Sequence, residues 1–276
     1  MKKYNVGIVG YGWVATAHIP AINATALGQV TAVCSSRKLD GAALSAQYGG
    51  PIRVYNDLDE MLANPEIHVV SLCGFPSQRL DQVRRAARAG KHLILEKPLC
   101  LSLKELRAMH QAVKRARVKT CVCFECRYAN QFQVIKTVLD NGLLGQVHYG
   151  EVDYYHGVGP WYREFQWCTT IKDCGSSLLE AGCHAMDALL LCLGDAVEEV
   201  ASYGAKSASP TYAPYEYPPT TVTLLKFRDG KVGKCASVID CWQPYYFHTH
   251  LVGSEGSVLD NKFHSNRING LSRHHW

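Results

Sequence analysis

Three groups of residues in this 276-residue chain have types and spacings suited to chemistry. The first is Glu96-Lys97-Pro98, directly after the apolar run His92–Leu95. A lysine at the carboxyl end of a buried strand can donate to a substrate oxygen, and its pKa responds to burial and to Glu96. Pro98 fixes the turn, and the bond before it is a candidate for the cis form. On residue type alone, an ordinary surface lysine explains Lys97 equally well. The second group is Glu180, His184 and Asp187, whose i, i+4, i+7 spacing puts them on one face of a helix. A carboxylate beside a histidine orients the ring and stabilises its charged form, and histidine is the usual group for taking a hydroxyl proton near neutral pH. A packed helix histidine or a metal-binding pair fits the same spacing. The third group is Gly10-Tyr11-Gly12-Trp13-Val14-Ala15, which fits G-x-G-x-x-G/A. There the first glycine permits a tight turn and the second lets backbone approach a pyrophosphate. The small Ala15 lets helix and strand pack closely, and the helix N-terminus holds the phosphate charge.

These groups need particular elements to hold them. Asn5–Val9 reads as a strand and Val14–Ala24 as a helix, so the glycine loop has its required strand–loop–helix context. Strands at 30–34, 69–73, 92–95 and 118–123 alternate with helices at 40–48, 77–89 and 102–115, the last with Ser102 as N-cap and Glu105 at the capping-box position. That alternation predicts βαβ units around a parallel sheet covered on both faces. After Phe124 the texture changes. A helix at 131–139, a strand at 147–155, a long helix at 176–192 and strands at 197–203, 220–227, 232–239, 246–252 and 257–259 predict an α+β arrangement with a largely antiparallel sheet. Asp229-Gly230 marks a hairpin between two of these strands. The expected organisation is therefore α/β: a dinucleotide-binding Rossmann domain over 1–123 and an α+β substrate domain over 124–276. Residues 262–276 are polar and show no clear period.

The end of the second strand reads Cys34-Ser35-Ser36-Arg37-Lys38, with no carboxylate before Asp40. An NAD site usually places Asp or Glu there for the ribose 2′-hydroxyl. Two hydroxyls and an arginine suit a 2′-phosphate, so NADP(H) is favoured and NAD(H) is the second option. An exposed basic turn that touches nothing is the plainer reading of the same residues.

Composition sets the outer limits. Apolar residues make up 47% and charged residues 19%, as in ordinary globular proteins. A net charge of +5 is too small to argue for nucleic acid. The apolar run Val6–Val9 is too short for an export signal, and no apolar run reaches the roughly 18–20 residues that span a bilayer. The chain is expected in the cytoplasm with its twelve cysteines reduced, five of them (Cys34, Cys73, Cys121, Cys123, Cys192) inside apolar runs as small core residues. Cys121-x-Cys123-x-x-Cys126 is tightly spaced, but Cys121 and Cys123 share one face of a core strand and no second C-x-x-C exists, so no metal is expected.

Together these motifs resemble the glucose–fructose oxidoreductase / inositol dehydrogenase family, often written Gfo/Idh/MocA. The resemblance runs along nearly the whole chain. It includes Gly7-Ile8-Val9-Gly10-Tyr11-Gly12, the stretch Ala89-Gly90-Lys91-His92 leading into Glu96-Lys97-Pro98, and Gly142-Leu143-Leu144-Gly145-Gln146-Val147. It also includes the helix bearing Glu180, Gly182, His184 and Asp187, and Leu251-Val252-Gly253-Ser254-Glu255-Gly256. The resemblance implies hydride transfer between nicotinamide C4 and a carbinol carbon of a sugar, polyol or related compound. It implies that Lys97 binds the reacting oxygen, that His184 is the acid/base, and that the carboxylate at Glu180, where the family more often has Asp, orients the site. The implied cofactor set is Gly10, Gly12, Trp13 and Val14, then Ser35, Ser36 and Arg37, then Cys73, Glu96 and Lys97. Arg127, Tyr154, Trp161, Tyr162 and Asp187 are the substrate candidates, with a packed aromatic core as the other reading of the aromatic residues. Ser77-Gln78-Arg79 stands where family members often have an Asn and a His after the proline matching Pro76. The family normally continues for several tens of residues past 257–259, so the chain is expected to be truncated at its C-terminus. The family also often pairs through its second sheet, so a homo-oligomer through that face is expected. A glycosidase of the same family with tightly held NAD, and a non-catalytic cofactor-binding paralogue, are the alternatives.

Overall fold

The structure, a computed structural model, describes residues 3–272, 274 and 276. The chain divides into two compact units, Met1–Cys123 and Phe124–Trp276.

The first unit runs β1 (Tyr4–Val9), α1 (Trp13–Asn23), β2 (Gly28–Cys34), α2 (Gly41–Tyr48), β3 (Arg53–Tyr55), α3 (Leu58–Ala63), β4 (Val69–Leu72), α4 (Pro76–Arg88), β5 (His92–Leu95), α5 (Leu103–Ala116) and β6 (Thr120–Val122). Its sheet has the order β3-β2-β1-β4-β5-β6, and every pairing is parallel. The order reverses beside β1, so the glycine loop leaves the sheet at the point where open α/β sheets bind ligands. Apolar strands are the reason the sheet is covered on both faces: Ile8, Val33, Val70 and Leu72 are fully buried. Helix starts follow side-chain caps. The Asp40 carboxylate accepts from the Ala42 and Ala43 amides, and Ser102 Oγ accepts from Glu105 N at 3.2 Å. Glu105 closes its capping box one residue early, on Leu101 N at 3.1 Å. β3 and α3 were not anticipated. A three-residue strand has no readable period, although Asp57, capping Glu60 N at 2.9 Å, signals α3.

The second unit opens with a 3₁₀ turn, Glu125–Tyr128, and α6 (Asn130–Asp140). It continues with β7 (Val147–Tyr155), α7 (Phe165–Cys168), α8 (Ile171–Cys174), a π-turn at Leu178–Gly182 and α9 (Cys183–Leu193). Then come β8 (Val197–Ala205), β9 (Thr220–Phe227), β10 (Val232–Val238), β11 (Tyr246–Gly253), β12 (Gly256–Leu259) and β13 (Lys262–Ser265). The sheet order is β13-β12-β11-β7-β10-β9-β8; among the described residues β7–β10 is parallel and the other pairings are antiparallel. One face carries α9, whose Ala185, Ala188 and Leu189 are fully buried in the core. The polar segment after residue 261 supplies the edge strand β13, paired to β12.

Two expectations need correction. The helix expected at 176–192 is a π-turn followed by α9. Gly182 closes that turn against β10, where a Cβ would stand 2.5 Å from Ser237 Cβ. Ser237 Oγ also bonds Ser177 O at 2.9 Å. In addition, the helical run Ile171–Leu193, at 23 residues, is long and apolar enough by length and composition to cross a membrane. Its α9 portion packs on β7 and β10.

Candidate functional site

Gly10 has φ +85, and a Cβ there would lie 3.0 Å from Gly74 N, so only glycine fits the turn without strain. Gly10 N bonds Cys34 O at 2.9 Å and Cys73 N bonds Val9 O at 2.8 Å, which ties the loop to the ends of β2 and β4. Gly12 is the N-cap of α1. Among the described residues, no side chain caps this helix, its first turn carries no acid, and nothing lies within 4 Å of where a Gly12 Cβ would be. The first amides of α1 are therefore open to an anion, and the cradle fits a pyrophosphate. Trp13 is exposed, Val14 half-buried and Ala15 fully buried against the sheet.

At the end of β2, Ser35 is buried and its Oγ accepts from Arg37 N at 3.1 Å. Asn56 Nδ2 donates to Ser35 O at 2.9 Å. Ser36 and Arg37 are exposed, and the Arg37 guanidinium donates to Tyr11 O. The basic turn thus lies against the glycine loop.

Cys73, Glu96 and Lys97 leave the ends of β4 and β5. The Lys97–Pro98 bond is cis, and Lys97 N donates to Glu96 Oε2 at 3.1 Å. Two side chains given no role from sequence hold this corner. His18, from α1, bonds Glu96 Oε1 through Nε2 and Ser71 Oγ through Nδ1, both at 2.8 Å. Burial would lower the His18 pKa, but the neighbouring Cys123, Cys73 and Glu96 side chains outweigh it and raise the pKa well above 6.5. Burial would likewise raise Glu96, but His18 and Lys97 pull it below the ordinary carboxylate value. Arg79, 1% exposed, bonds Glu96 O and, at 2.7 Å, Gly74 O. Burial lowers its pKa against the opposing pull of Glu96. No local pattern announces either contact; His18 and Glu96 are 78 residues apart.

In the second unit, Arg127 and Asp187 come together: Nε donates to Oδ2 and an NH₂ group to Oδ1, each at 2.7 Å. His184 is buried on α9, edge-on to Phe124, with Glu125 Oε1 at 3.9 Å from its Nε2. Glu125 was not singled out from sequence. It also accepts from Tyr245 OH at 3.1 Å. Glu180 sits on the π-turn, and its Oε2 accepts from Cys174 Sγ at 3.5 Å. Tyr154 is buried among Tyr245 and Phe247, its hydroxyl 3.1 Å from His156 Nδ1, and burial raises its pKa. Tyr162 stacks edge-on to His156. Trp161 is 57% exposed and lies 5.3 Å, ring to ring, from Trp242. It is a surface aromatic rather than part of the packed core.

A doubly wound parallel sheet with an uncapped helix behind its glycine loop is a dinucleotide-binding unit. Residues 4–124 match the oxidoreductase family with an NAD-binding Rossmann fold, and residues 132–259 match the GFO/IDH/MocA C-terminal domain, so this chain belongs to the Gfo/Idh/MocA oxidoreductase family. It is 30% identical over 193 residues to an uncharacterised oxidoreductase of Synechocystis sp., covering 69% of this chain and 52% of that protein. The match thus spans about half the length of that relative. It is 24% identical over 254 residues to myo-inositol 2-dehydrogenase of Thermotoga maritima, covering 92% of this chain and 74% of that protein. The fold superposes on scyllo-inositol dehydrogenase from Lactobacillus casei, solved with NAD(H) and scyllo-inositol, with a TM-score of 0.82 at 20% identity, covering 95% of this chain and 77% of that one.

Proposed function

We propose that this chain transfers hydride between a nicotinamide cofactor and a carbinol or carbonyl carbon of a sugar, polyol or related small molecule. The observation that carries the reading is the juxtaposition within the first unit: an open α1 N-terminus behind Gly12, and Glu96-Lys97 at the end of a strand in the same sheet. When bound, the cofactor supplies or accepts the hydride. Gly10 and Gly12 admit its pyrophosphate to the α1 amides. In this reading Lys97 donates to the reacting oxygen and stabilises charge that develops there, while Glu96 fixes the lysine backbone. His184 takes or returns the hydroxyl proton, with Glu125 and Glu180 as its candidate carboxylate partners and the Arg127–Asp187 pair as a substrate contact.

NADP(H) is the favoured cofactor. Ser35, Ser36 and Arg37 offer donors to a 2′-phosphate, no carboxylate follows β2 in the sequence before Asp40, and Arg37 already lies against the loop. The L. casei relative was solved with NAD(H), so both nucleotides belong in any assay. A cytoplasmic setting suits a chain with twelve cysteines held as thiols. The outer face of the second sheet, where Tyr203, Val222, Leu224 and Val232 are exposed, suits a second copy of the chain, and light scattering reads that directly.

Lys97→Met, assayed with NADP and NAD against a panel of inositols and aldoses, is the test. Cofactor affinity is expected to hold while turnover falls by on the order of 10²-fold or more. Unchanged turnover contradicts the role given to Lys97.

A further inference from the structure

Register brings three donors, two thiols and one carboxylate, into one row. Leu72 of β4 pairs with Leu95 of β5, and Leu95 pairs with Val122 of β6. The next residue along each strand is Cys73, Glu96 and Cys123, respectively. In-register neighbours of a parallel sheet point to the same face. His18, from α1, reaches this row and bonds Glu96.

One imidazole nitrogen, one carboxylate oxygen and one thiol, from His18, Glu96 and Cys123, lie within 4.8 Å of one another. Tetrahedral zinc, with bonds of about 2.0–2.3 Å, separates its ligand atoms by roughly 3.3–3.8 Å. The three donors therefore need to close by only about an ångström. The His18 and Glu96 side chains are 13% and 12% exposed, so the cluster is sheltered but open to entry. Cys73, whose Sγ lies 3.6 Å from the Ser71 hydroxyl that bonds His18, stands beside the cluster and is a candidate fourth donor. A disulfide does not compete for the two thiols. β4 and β6 are separated by two strand spacings, roughly 9.5 Å, beyond the reach of a Cys73–Cys123 bridge.

We propose that His18, Glu96 and Cys123 form a binding site for a borderline-soft divalent cation of the zinc type. Mixed nitrogen, oxygen and sulfur donors select such an ion over magnesium or calcium, which take oxygen ligands. Because Glu96 also receives the Lys97 backbone amide, an ion here competes for the group that fixes the lysine.

The test uses the full chain stripped of metal with a chelator, then equilibrated with Zn²⁺ and, separately, Co²⁺. One zinc per chain and a thiolate-to-cobalt charge-transfer band are expected. Both should be lost in Cys123→Ser and in His18→Gln, and kept in Cys121→Ser, which removes the neighbouring exposed thiol of β6. Substoichiometric zinc with no such band, or a band that survives Cys123→Ser, overturns the site. If Cys123→Ser fails to fold, alkylation of the wild-type chain decides between the outcomes. Zinc should protect Cys123 and leave Cys121 reactive; equal rates for Cys123 with and without zinc overturn the proposal.

Discussion

Arg127 grips Asp187 through both oxygens of its carboxylate, at 2.7 Å each, and so fastens the turn bearing Glu125 to the helix bearing His184. A planar fork is a contact that lysine cannot copy. The arginine is half exposed, so the pair's worth is modest. Arg127→Ala is expected to destabilise the second unit by about 1 kcal/mol. Arg127→Lys should recover only part of that loss. Thermal unfolding of the two variants checks both statements, and an unchanged melting temperature in Arg127→Ala would show that the fork adds nothing.

Gly12→Asp separates folding from cofactor binding. Among the described residues nothing lies within 4 Å of the added Cβ, and aspartate is a favoured N-cap, so the fold should hold or gain a few tenths of a kcal/mol. Its carboxylate would occupy the α1 amides and repel a phosphate. Loss of nucleotide binding with an unchanged melting temperature is the expected pair of results; retained binding would remove α1 from the cofactor site.

Arg79 is a buried guanidinium serving two backbone carbonyls at adjacent strand ends, Glu96 O and Gly74 O. Arg79→Leu leaves both without that donor. It should cost about 3 kcal/mol and weaken nucleotide binding, because the loop after β4 and the Glu96-Lys97 corner lose a shared anchor. Denaturant unfolding reads the first effect and cofactor titration the second.

Lys234 sits on the second sheet between Glu151 and, at 2.7 Å, Asp153. Burial works to raise Glu151, but Lys234, Asp153 and Tyr149 bring it down to about 2. Burial raises Asp153, so the two carboxylates titrate as a pair. A depressed carboxylate contributes stability that is present above its unfolded value of 4.5 and is lost as pH falls through about 2. Lys234→Met removes the cation and raises both folded-state values. The variant's deficit, about 2 kcal/mol at neutral pH, should therefore shrink as pH falls below 4 and nearly vanish near pH 2. A deficit independent of pH would mean that lost packing, not charge, is the cause.

Much of the framework was legible because it is local. β7 at Val147–Tyr155, β9 at Thr220–Phe227 and β5 at His92–Leu95 match their expected limits, since alternation or an apolar run defined each. The glycine loop was legible because its neighbours on both sides were. The corner around Glu96 was not. His18 and Arg79 reach it across the sheet, and nothing in their own segments distinguishes them from surface residues. Glu125 meets His184 across 59 residues for the same reason. The π-turn was missed because its cause, Gly182 pressed on Ser237, lies on another strand.

Fluorescence titration of the folded full chain with NADPH and with NADH tests nicotinamide binding, on which the whole functional reading depends. Saturable NADPH binding that Gly12→Asp abolishes is expected, with NADH weaker by about tenfold or more, or about 1.4 kcal/mol. Arg37→Ala should erase that difference. Equal or tighter NADH binding would overturn the 2′-phosphate reading of Ser35–Arg37 and leave the rest standing. No saturable binding of either nucleotide would contradict the proposed function itself.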